Sequence, residues 1–378
     1  MKISRRNFLA VAGAAAAAAA LTACGGSSAS STSTASSAAA SSSAASGAAD
    51  GAEKIAKVAL TCDTGTIDDE SFNQACWAAV SSYMGDNCQY YIPDSDASDE
   101  DRETMIRQAV NDGADVIVCV GYLYGASLAW AAEQYPDIKF IAIDVTQGDI
   151  GTDSIPANCY CITFKEEQAG YLAGYAVVKD GYTKLGFLGG MAVPAVIRYG
   201  YGYVQGAEAA AAEKNVKVEM NYTWKYGESF QPSAELQTLA SGWYKNGTEV
   251  IFSCGGSIFD SITAAASAND AAVIGVDVDQ SYTSDTVITS ALKGIGEAAQ
   301  QALTAAYGSD WANYGGKLTT LGAAEGAVGL PTDTWSLKNW TVDQYKAMFE
   351  KIVKGEISID NDFTKLASTD HVTLNLVK

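Results

Sequence analysis

From residue 54 onward the chain alternates short apolar runs with longer amphipathic stretches, separated by loops that contain Gly or Asp. Continuous apolar runs are typical of strands buried on both faces, and their alternation with helical segments indicates parallel sheets covered by helices. Strands are predicted at 55–62, 88–92, 116–121, 139–144, 158–164, 185–189, 216–224, 250–254, 273–276 and 286–290. Helices are predicted at 70–84, 100–112, 123–135, 165–179, 194–214, 231–246, 257–269 and 294–307. The pattern predicts an α/β protein with doubly wound sheets.

The chain beyond residue 53 is too long for one lobe. It has about 325 residues, more than a single hydrophobic core usually holds, so two lobes are expected. The predicted helix 194–214 begins with Pro194, a residue favoured at the first helical position. Its Gly202 and Gly206 are four residues apart, which gives one face of the helix a smooth surface for close packing.

The N-terminus has the features of an export signal. Basic residues precede an apolar stretch at 10–21, which is too short to cross a hydrocarbon core that needs roughly 20 residues as helix. Leu21-Thr22-Ala23-Cys24 resembles the processing box of bacterial lipoproteins, so residues 1–23 are predicted to be a signal peptide and Cys24 the lipidated first residue. The alternative is an ordinary signal with a chance Cys. Arg5-Arg6 also resembles a signal for export of folded protein, and general secretion stays open beside it.

The segment after Cys24 is predicted to be a tether. Residues 24–52 are rich in Ser and Ala, a composition that cannot bury enough apolar surface to offset chain entropy. As a flexible coil this segment spans on the order of 30 Å. We therefore expect a folded body held at the extracytoplasmic face of the cell membrane by a lipid anchor.

Charge and histidine content exclude several classes of function. The formal net charge is −20, which repels nucleic acid and anionic lipid, so no nucleic-acid partner is expected. The single histidine, His371, lies near the C-terminus. That content argues against imidazole-centred nucleophilic catalysis and multi-His zinc sites, so no catalytic residue, metal or cofactor is predicted.

The seven cysteines after Cys24 show no Cys-x-x-Cys spacing. Cys119 and Cys254 lie inside apolar strand-like runs, where a free Cys behaves as a small hydrophobe. We expect mostly free, buried thiols, with one disulfide as the alternative.

The junctions between predicted strands and helices carry the candidate ligand-binding residues, because ligands of doubly wound sheets bind beyond the carboxyl ends of the strands. The first junction runs from Cys62 to Gln74 and includes Asp63, Phe72 and Asn73. A large ring and an amide in the first helical turn are expected to face the cleft. Asp69 and Ser71 are expected to cap the helix.

Other junctions have a similar character. Asp144 and Asp277 each end an apolar run, and Gly255-Gly256 follows another. A strand-end Asp is often only a cap or turn residue, but several polar junctions converging on one cleft favour a ligand site. The phosphate-binding Gly-x-Gly-x-x-Gly spacing and the P-loop Lys are missing from these junctions.

The stretch from Thr61 to Asn73 resembles the opening signature of the basic membrane protein lipoproteins, which are substrate-binding proteins of ATP-driven importers and include purine nucleoside receptors. The resemblance covers roughly residues 55–300. The other stretches that fit are 169–175, 186–191, 194–199 with Gly202, Tyr203 and Gly206, and 275–280 with Lys293.

This resemblance implies a type I periplasmic-binding-protein fold, in which two doubly wound parallel-sheet lobes are joined by a hinge of several crossovers. Lobe 1 is then expected at 53–180 plus 291–318, and lobe 2 at 181–290 plus 319–378. The resemblance also implies a monomer that holds a nucleoside between its lobes and presents it to the permease of an ABC importer.

The resemblance implies a role for each candidate residue. Asp63 and Asn73 would contact the edge of the base. Phe72 and Tyr199 would sandwich its ring. Asp277 and Lys293 would bind ribose hydroxyls, with help from Asp144 and from the backbone at Gly255 or Gly256.

Other functions stay open at this stage. A nucleoside-cleaving enzyme would need a metal site or a base placed for attack by water, which Asp63, Asp68 and Asp69 could imitate. A sensory co-receptor would use the same cleft. Within the binding class, the main alternative ligand is a sugar or another small metabolite, because a fold does not by itself determine a ligand.

Overall fold

The computed structural model describes residues 57–94, 96–223 and 225–377, and these form two parallel-dominated sheets. The first sheet has the strand order β2-β1-β3-β4-β5-β11, with all pairs parallel. Its strands are β1 (Val58–Cys62), β2 (Cys88–Tyr91), β3 (Val116–Val120), β4 (Lys139–Ile143), β5 (Cys159–Phe164) and β11 (Lys317–Leu321).

The second sheet repeats this topology, with the order β7-β6-β8-β9-β10 flanked by β13 beside β7 and an antiparallel β12 beside β10. Its strands are β6 (Lys184–Gly189), β7 (Val218–Thr223), β8 (Val250–Cys254), β9 (Ala272–Asp277), β10 (Val287–Lys293), β12 (Val328–Gly329) and β13 (Val372–Leu376). In each sheet the strand order reverses next to the first strand, β1 or β6, which is where open α/β sheets bind ligands.

Helices cover both faces of each sheet, as the alternating pattern predicts. The helices are α1 (Phe72–Met84), α2 (Asp99–Asn111), α3 (Gly125–Gln134), α4 (Gln147–Ile150), α5 (Glu166–Asp180), α6 (Pro194–Lys214), α7 (Ala234–Lys245), α8 (Ile258–Ser267), α9 (Ile295–Tyr307) and α10 (Val342–Val353). The first sheet lies between α1 with α9 and α2 with α3. The second lies between α5, α6 and α10 on one face and α7 with α8 on the other. The two-lobed, doubly wound α/β fold is confirmed.

The lobe boundaries differ from the predicted ones, because each helix or strand belongs to the lobe whose sheet or hydrophobic core it joins. Strand β10 lies wholly in the second sheet, so the predicted boundary at residue 291 falls inside a strand. Strand β11 pairs along its whole length with β5, so the boundary at 318 does so too. Helix α5 packs against α6 in the core of the second lobe, although the sequence assigned it to lobe 1. We therefore place lobe 1 in β1–β5, α9 and β11, with crossovers after β5, β10 and β11.

The contact between α5 and α6 is unusually close. A Cβ on Gly202 would lie 2.0 Å from the carbonyl oxygen of Glu167, and one on Gly206 would lie 1.9 Å from that of Tyr171. On α5, Gly174 approaches Tyr203 in the same way. The prediction that Gly202 and Gly206 permit close packing is confirmed.

The seven cysteines of the described residues are free, and all but the half-buried Cys88 are buried, which agrees with the prediction of mostly free, buried thiols. The helices found in the described residues include none long and apolar enough to cross a membrane. The predicted signal peptide at 1–23, the lipidated Cys24 and the linker at 24–52 lie outside the described residues. The sequence predicted no element after residue 307, where the structure has α10, β11, β12 and β13.

Candidate functional site

One cleft lies at the carboxyl ends of strands from both sheets. All nine predicted ligand-binding residues line it: Asp63, Phe72, Asn73, Asp144, Tyr199, Gly255, Gly256, Asp277 and Lys293. They come from loops after β1, β4 and β8, from the starts of α1 and α6, and from the ends of β9 and β10. The convergence expected from the sequence is therefore present.

The start of α1 is held by Asp69. Its carboxylate accepts hydrogen bonds from the backbone N–H groups of Ser71, Asn73 and Gln74, at 3.0, 3.1 and 3.0 Å. Burial raises the pKa of Asp69 to about 6. The capping role expected of Asp69 is confirmed, and it fixes the first helical turn so that Phe72 and Asn73 line the cleft.

Ser71 does not cap this helix, contrary to the expectation. Its hydroxyl instead donates a hydrogen bond of 2.6 Å to Oδ2 of Asp277, in the other lobe. The prediction failed because Asp69 already satisfies the amides that a capping Ser would bind.

Asn73 and Asp63 give the lobe 1 wall two polar groups. Nδ2 of Asn73 donates to the backbone oxygen of Thr64 at 2.9 Å, while its buried Oδ1 has no hydrogen-bond donor among the described residues. Asp63 accepts from the backbone N–H of Leu123 at 2.9 Å, and burial raises its pKa to about 6. Asn73 therefore retains an acceptor for a ligand N–H or O–H group.

Gly121 makes room for Asp63. It has a φ of 115°, and a Cβ at this position would lie 2.1 Å from the Asp63 carboxylate. Gly121 was not among the predicted site residues, although it is the last residue of the predicted strand 116–121.

Lys293 is the cationic centre of the cleft. Its Nζ lies 2.5 Å from Oδ2 of Asp144 and 2.9 Å from Oε1 of Glu166, and the residue is 4% exposed. Burial alone would lower the pKa of Lys293, but the carboxylates of Asp144, Glu166 and Asp277 together raise it. The ammonium also lies 5.0 Å from the ring centre of Phe72. Oδ1 of Asp144 is buried and has no donor among the described residues, so it can accept from a ligand.

Glu166 and Arg198 extend this network and were missed by the sequence analysis. Nη1 of Arg198 lies 3.5 Å from Oε2 of Glu166 and donates to the backbone oxygen of Phe164 at 3.3 Å. The guanidinium also stacks over the ring of Phe363, 4.9 Å from its centre. Arg198 lies inside a predicted helix, away from any predicted strand end, whereas Glu166 stands two residues after the predicted strand 158–164 and was not selected although it lies at a strand-to-helix junction.

Asp277 is held by donors from both lobes. Its Oδ1 accepts from the hydroxyl of Tyr199 at 3.0 Å, and its Oδ2 accepts from Ser71. Burial raises the pKa of Asp277. The carboxylate is thus fixed at the boundary between the lobes.

The aromatic residue of lobe 2 that offers its ring to the cleft differs from the expected one. Tyr199 is only 2% exposed, its hydroxyl is engaged by Asp277 and its ring packs against Phe252. Phe230 is half-buried, lines the cleft and packs over Gly190 and Gly255, where a Cβ would approach its ring to 2.5 and 2.8 Å. Phe230 lies in the loop after β7, and the predicted site included no residue from that strand end.

Comparison with known protein families gives two matches. The family model described as "ABC transporter substrate-binding protein PnrA-like" matches residues 55–362, which is most of the chain. A model of the twin-arginine translocation signal matches residues 2–22 and indicates that the protein is exported.

Individual relatives agree with this family. Basic membrane protein B of Borreliella burgdorferi is 31% identical over 325 residues, which covers 82% of this chain and 88% of that protein. The ABC transporter nucleoside-binding protein BmpA of Lactococcus lactis subsp. cremoris is 28% identical over 302 residues, covering 73% of this chain and 82% of the relative.

Solved structures agree on the fold. An ABC transporter solute-binding protein of Aeropyrum pernix K1 matches with a TM-score of 0.68 at 22% identity, covering 80% of this chain and 92% of that one. One from Conexibacter woesei DSM 14684 matches with a TM-score of 0.62 at 22% identity, covering 81% and 99%. These likenesses support the type I periplasmic-binding-protein architecture expected from the resemblance.

Proposed function

Since the chain belongs to the PnrA-like family of ABC transporter substrate-binding proteins, we propose that it captures a purine nucleoside between its lobes and delivers it to an ABC importer. The observation that carries the proposal is one cleft that combines two half-buried phenyl rings with buried carboxylate and amide oxygens. A nucleoside matches these groups, because its base has two apolar faces and a polar edge and its ribose carries hydroxyls. Stacking of a base on an aromatic ring contributes about 1–3 kcal/mol.

In this proposal the base lies between the lobes. Phe72 of lobe 1 and Phe230 of lobe 2 stack on its faces. Asp63 and the free Oδ1 of Asn73 accept hydrogen bonds from N–H groups at its edge. Tyr199 acts through its hydroxyl, which holds Asp277, rather than through its ring.

The ribose lies beside the charged cluster. Asp277 and the free Oδ1 of Asp144 accept from its hydroxyls, and the Lys293 ammonium donates to its oxygens. Backbone groups of Gly255 or Gly256 complete the contacts. None of these steps breaks a covalent bond, so the proposed activity is binding without catalysis.

Delivery follows from closure of the two lobes. A ligand that contacts both lobes stabilises the closed state by its differential contacts, and the closed protein presents a composite surface to the permease. We further propose that lipidation at Cys24 and the 24–52 linker hold a monomer at the extracytoplasmic face of the membrane. Each CH₂ group of an acyl chain buried in the membrane contributes about 0.8 kcal/mol, and two anchoring signals together hold a protein stably at the membrane.

Isothermal calorimetry with purified protein carrying Cys24→Ser tests the ligand. The panel contains adenosine, guanosine, inosine, cytidine, uridine, the free bases and simple sugars. Saturable one-to-one binding of at least one purine nucleoside is expected, with weaker binding of its free base because the ribose contacts are lost. Binding of a sugar with no response to any nucleoside would retain the fold and overturn the ligand.

Two further measurements separate the other functions. Incubation with inosine is expected to release no hypoxanthine, and release would indicate an enzyme. Cross-linking in cells is expected to capture permease subunits, whereas capture of a membrane kinase alone would indicate a sensory co-receptor.

A further inference from the structure

The short loop Asp69–Ser71, which precedes α1 in lobe 1, makes two hydrogen bonds to lobe 2. The hydroxyl of Ser71 donates to Oδ2 of Asp277 at 2.6 Å. Nε2 of Gln280 donates to the backbone oxygen of Glu70 at 2.9 Å. Both lobe 2 partners lie at or just after the end of β9, so these two hydrogen bonds join one short segment of each lobe.

Ser71 is available for this contact because it has no other role. A Ser at the N-cap usually accepts a hydrogen bond from an amide of the first helical turn. Asp69 accepts those amide hydrogen bonds here, and Ser71 makes no side-chain cap. The Ser71 hydroxyl is fully buried, so loss of its partner would leave a polar group unsatisfied.

The Gln280 side chain is held in place by hydrogen bonds within lobe 2. It is 1% exposed, its Oε1 accepts from the backbone N–H of Val276 at 2.8 Å, and its own N–H donates to Ser290 at 3.1 Å. These hydrogen bonds orient its Nε2 group toward lobe 1. The Glu70 oxygen that it binds belongs to a residue with the left-handed φ of 54°.

We propose that Ser71 and Gln280 form an inter-lobe latch that holds the cleft closed and positions Asp277 toward the ligand. Opening of the lobes breaks both hydrogen bonds and leaves Asp277 with only the Tyr199 hydroxyl. The latch joins the loop that carries Phe72 and Asn73 directly to the strand end that carries Asp277. It therefore slows ligand release, and because it also favours the closed state of the empty protein, it slows ligand entry in proportion to the loss of open population. Its effect on ligand release depends on the proposed binding function, but closure without ligand does not.

The first arm of the test needs no ligand. Spin labels on noncanonical amino acids at Glu100 and Glu235, which are exposed near the starts of α2 and α7, report the distance across the cleft. Ser71→Ala is expected to shift the ligand-free distribution toward longer distances. Ser81→Ala is the matched control, because this hydroxyl bonds only to carbonyl groups of α1 itself, and it should leave the distribution unchanged.

The second arm measures the kinetics of the tightest-binding purine nucleoside by stopped flow. Ser71→Ala is expected to raise the dissociation rate at least fivefold and to raise the association rate in proportion to the gain in open population measured in the first arm. In a double-mutant cycle with Asp277→Asn, the two effects should be non-additive, which a merely structural role of Ser71 would not produce. Should Ser71→Ala fail to fold, Gln280→Glu replaces it in the distance measurement and the kinetics, because this variant keeps the acceptor for the Val276 N–H and removes the donor to Glu70.

An unchanged distance distribution in Ser71→Ala would overturn the latch. An unchanged dissociation rate, or additive effects in the cycle, would overturn the positioning of Asp277. If the wild-type protein binds no nucleoside, the proposed function fails, and the ligand-free distances still decide whether the latch exists.

Discussion

Asp144 and Asp277 occupy equivalent places in the two lobes. Each stands at the carboxyl end of the fourth strand of its doubly wound sheet, and their φ angles are 63° and 65°. Each carboxylate also receives a donor from the opposite lobe, Asp144 from Lys293 and Asp277 from Ser71. Left-handed backbone at a non-Gly residue costs about 1–3 kcal/mol and is concentrated at functional sites. The symmetry places one strained carboxylate from each lobe on the two sides of the cleft.

Replacement of Lys293 should destabilise the fold as well as abolish binding. Lys293→Met leaves the buried Asp144 without its cation and Glu166 with only the longer contact to Arg198, and loss of one partner of a buried ion pair costs about 3–5 kcal/mol. Urea unfolding measures this free energy. The control is Lys179→Met, which removes a partly exposed pair with Glu213 worth about 0–1 kcal/mol. Equal stability of the two variants would show that the cluster is not a buried ion network.

The two half-buried phenyl rings of the cleft should carry much of the affinity. Phe72→Ala and Phe230→Ala each remove one stacking surface, and about 1–3 kcal/mol corresponds to roughly 5- to 150-fold weaker binding. Calorimetry measures the dissociation constants. Tyr83→Ala is the matched control, because this ring is on the same helix as Phe72 but is 40% exposed, and wild-type affinity is expected. Wild-type affinity in Phe230→Ala would contradict stacking by Phe230 and would favour Tyr199 as the second stacking ring.

The sequence could predict the cleft residues that follow strands, because a doubly wound sheet brings all its strand ends to one edge. Asp63, Asp144 and Asp277 were found in this way. Glu166 also follows a strand and could have been selected by the same rule, whereas its contacts with Lys293 and with Arg198 of α6 depend on tertiary packing that no local pattern shows.

Contacts between residues that are distant in sequence could not be predicted either. Nothing local distinguishes a Ser71 that caps a helix from one that binds Asp277 across a cleft. The boundaries near residues 291 and 318 failed for the same reason, since the membership of β10 and β11 depends on pairing with distant strands.

Asp63→Asn should change how stability depends on pH. Burial raises the pKa of Asp63 from 3.8 to about 6, so between these values the folded state holds a proton that the unfolded chain has released. The contribution of this carboxyl to stability is complete below the unfolded pKa and is lost as pH rises through about 6. Relative to wild type, the variant should therefore gain roughly 2–3 kcal/mol between pH 4 and pH 7. Urea unfolding at one-unit steps of pH measures the difference, and a pH-independent difference would contradict the burial of a raised-pKa carboxyl.

The close approach of α5 and α6 makes Gly206 a test of how the site is positioned. A Cβ there would lie 1.9 Å from the backbone oxygen of Tyr171, so Gly206→Ala must move the helices apart. Overpacking of this kind typically costs about 1–3 kcal/mol. Because α5 begins with Glu166 and α6 carries Arg198 in its first turns, the shift should also lengthen their contact and weaken ligand binding. Gly242→Ala is the matched control: it lies in α7 with open space around it, and should stabilise the protein by up to about 1 kcal/mol. Thermal unfolding and calorimetry on both variants decide the matter, and a Gly206→Ala variant as stable as wild type would mean that the helices can separate without loss.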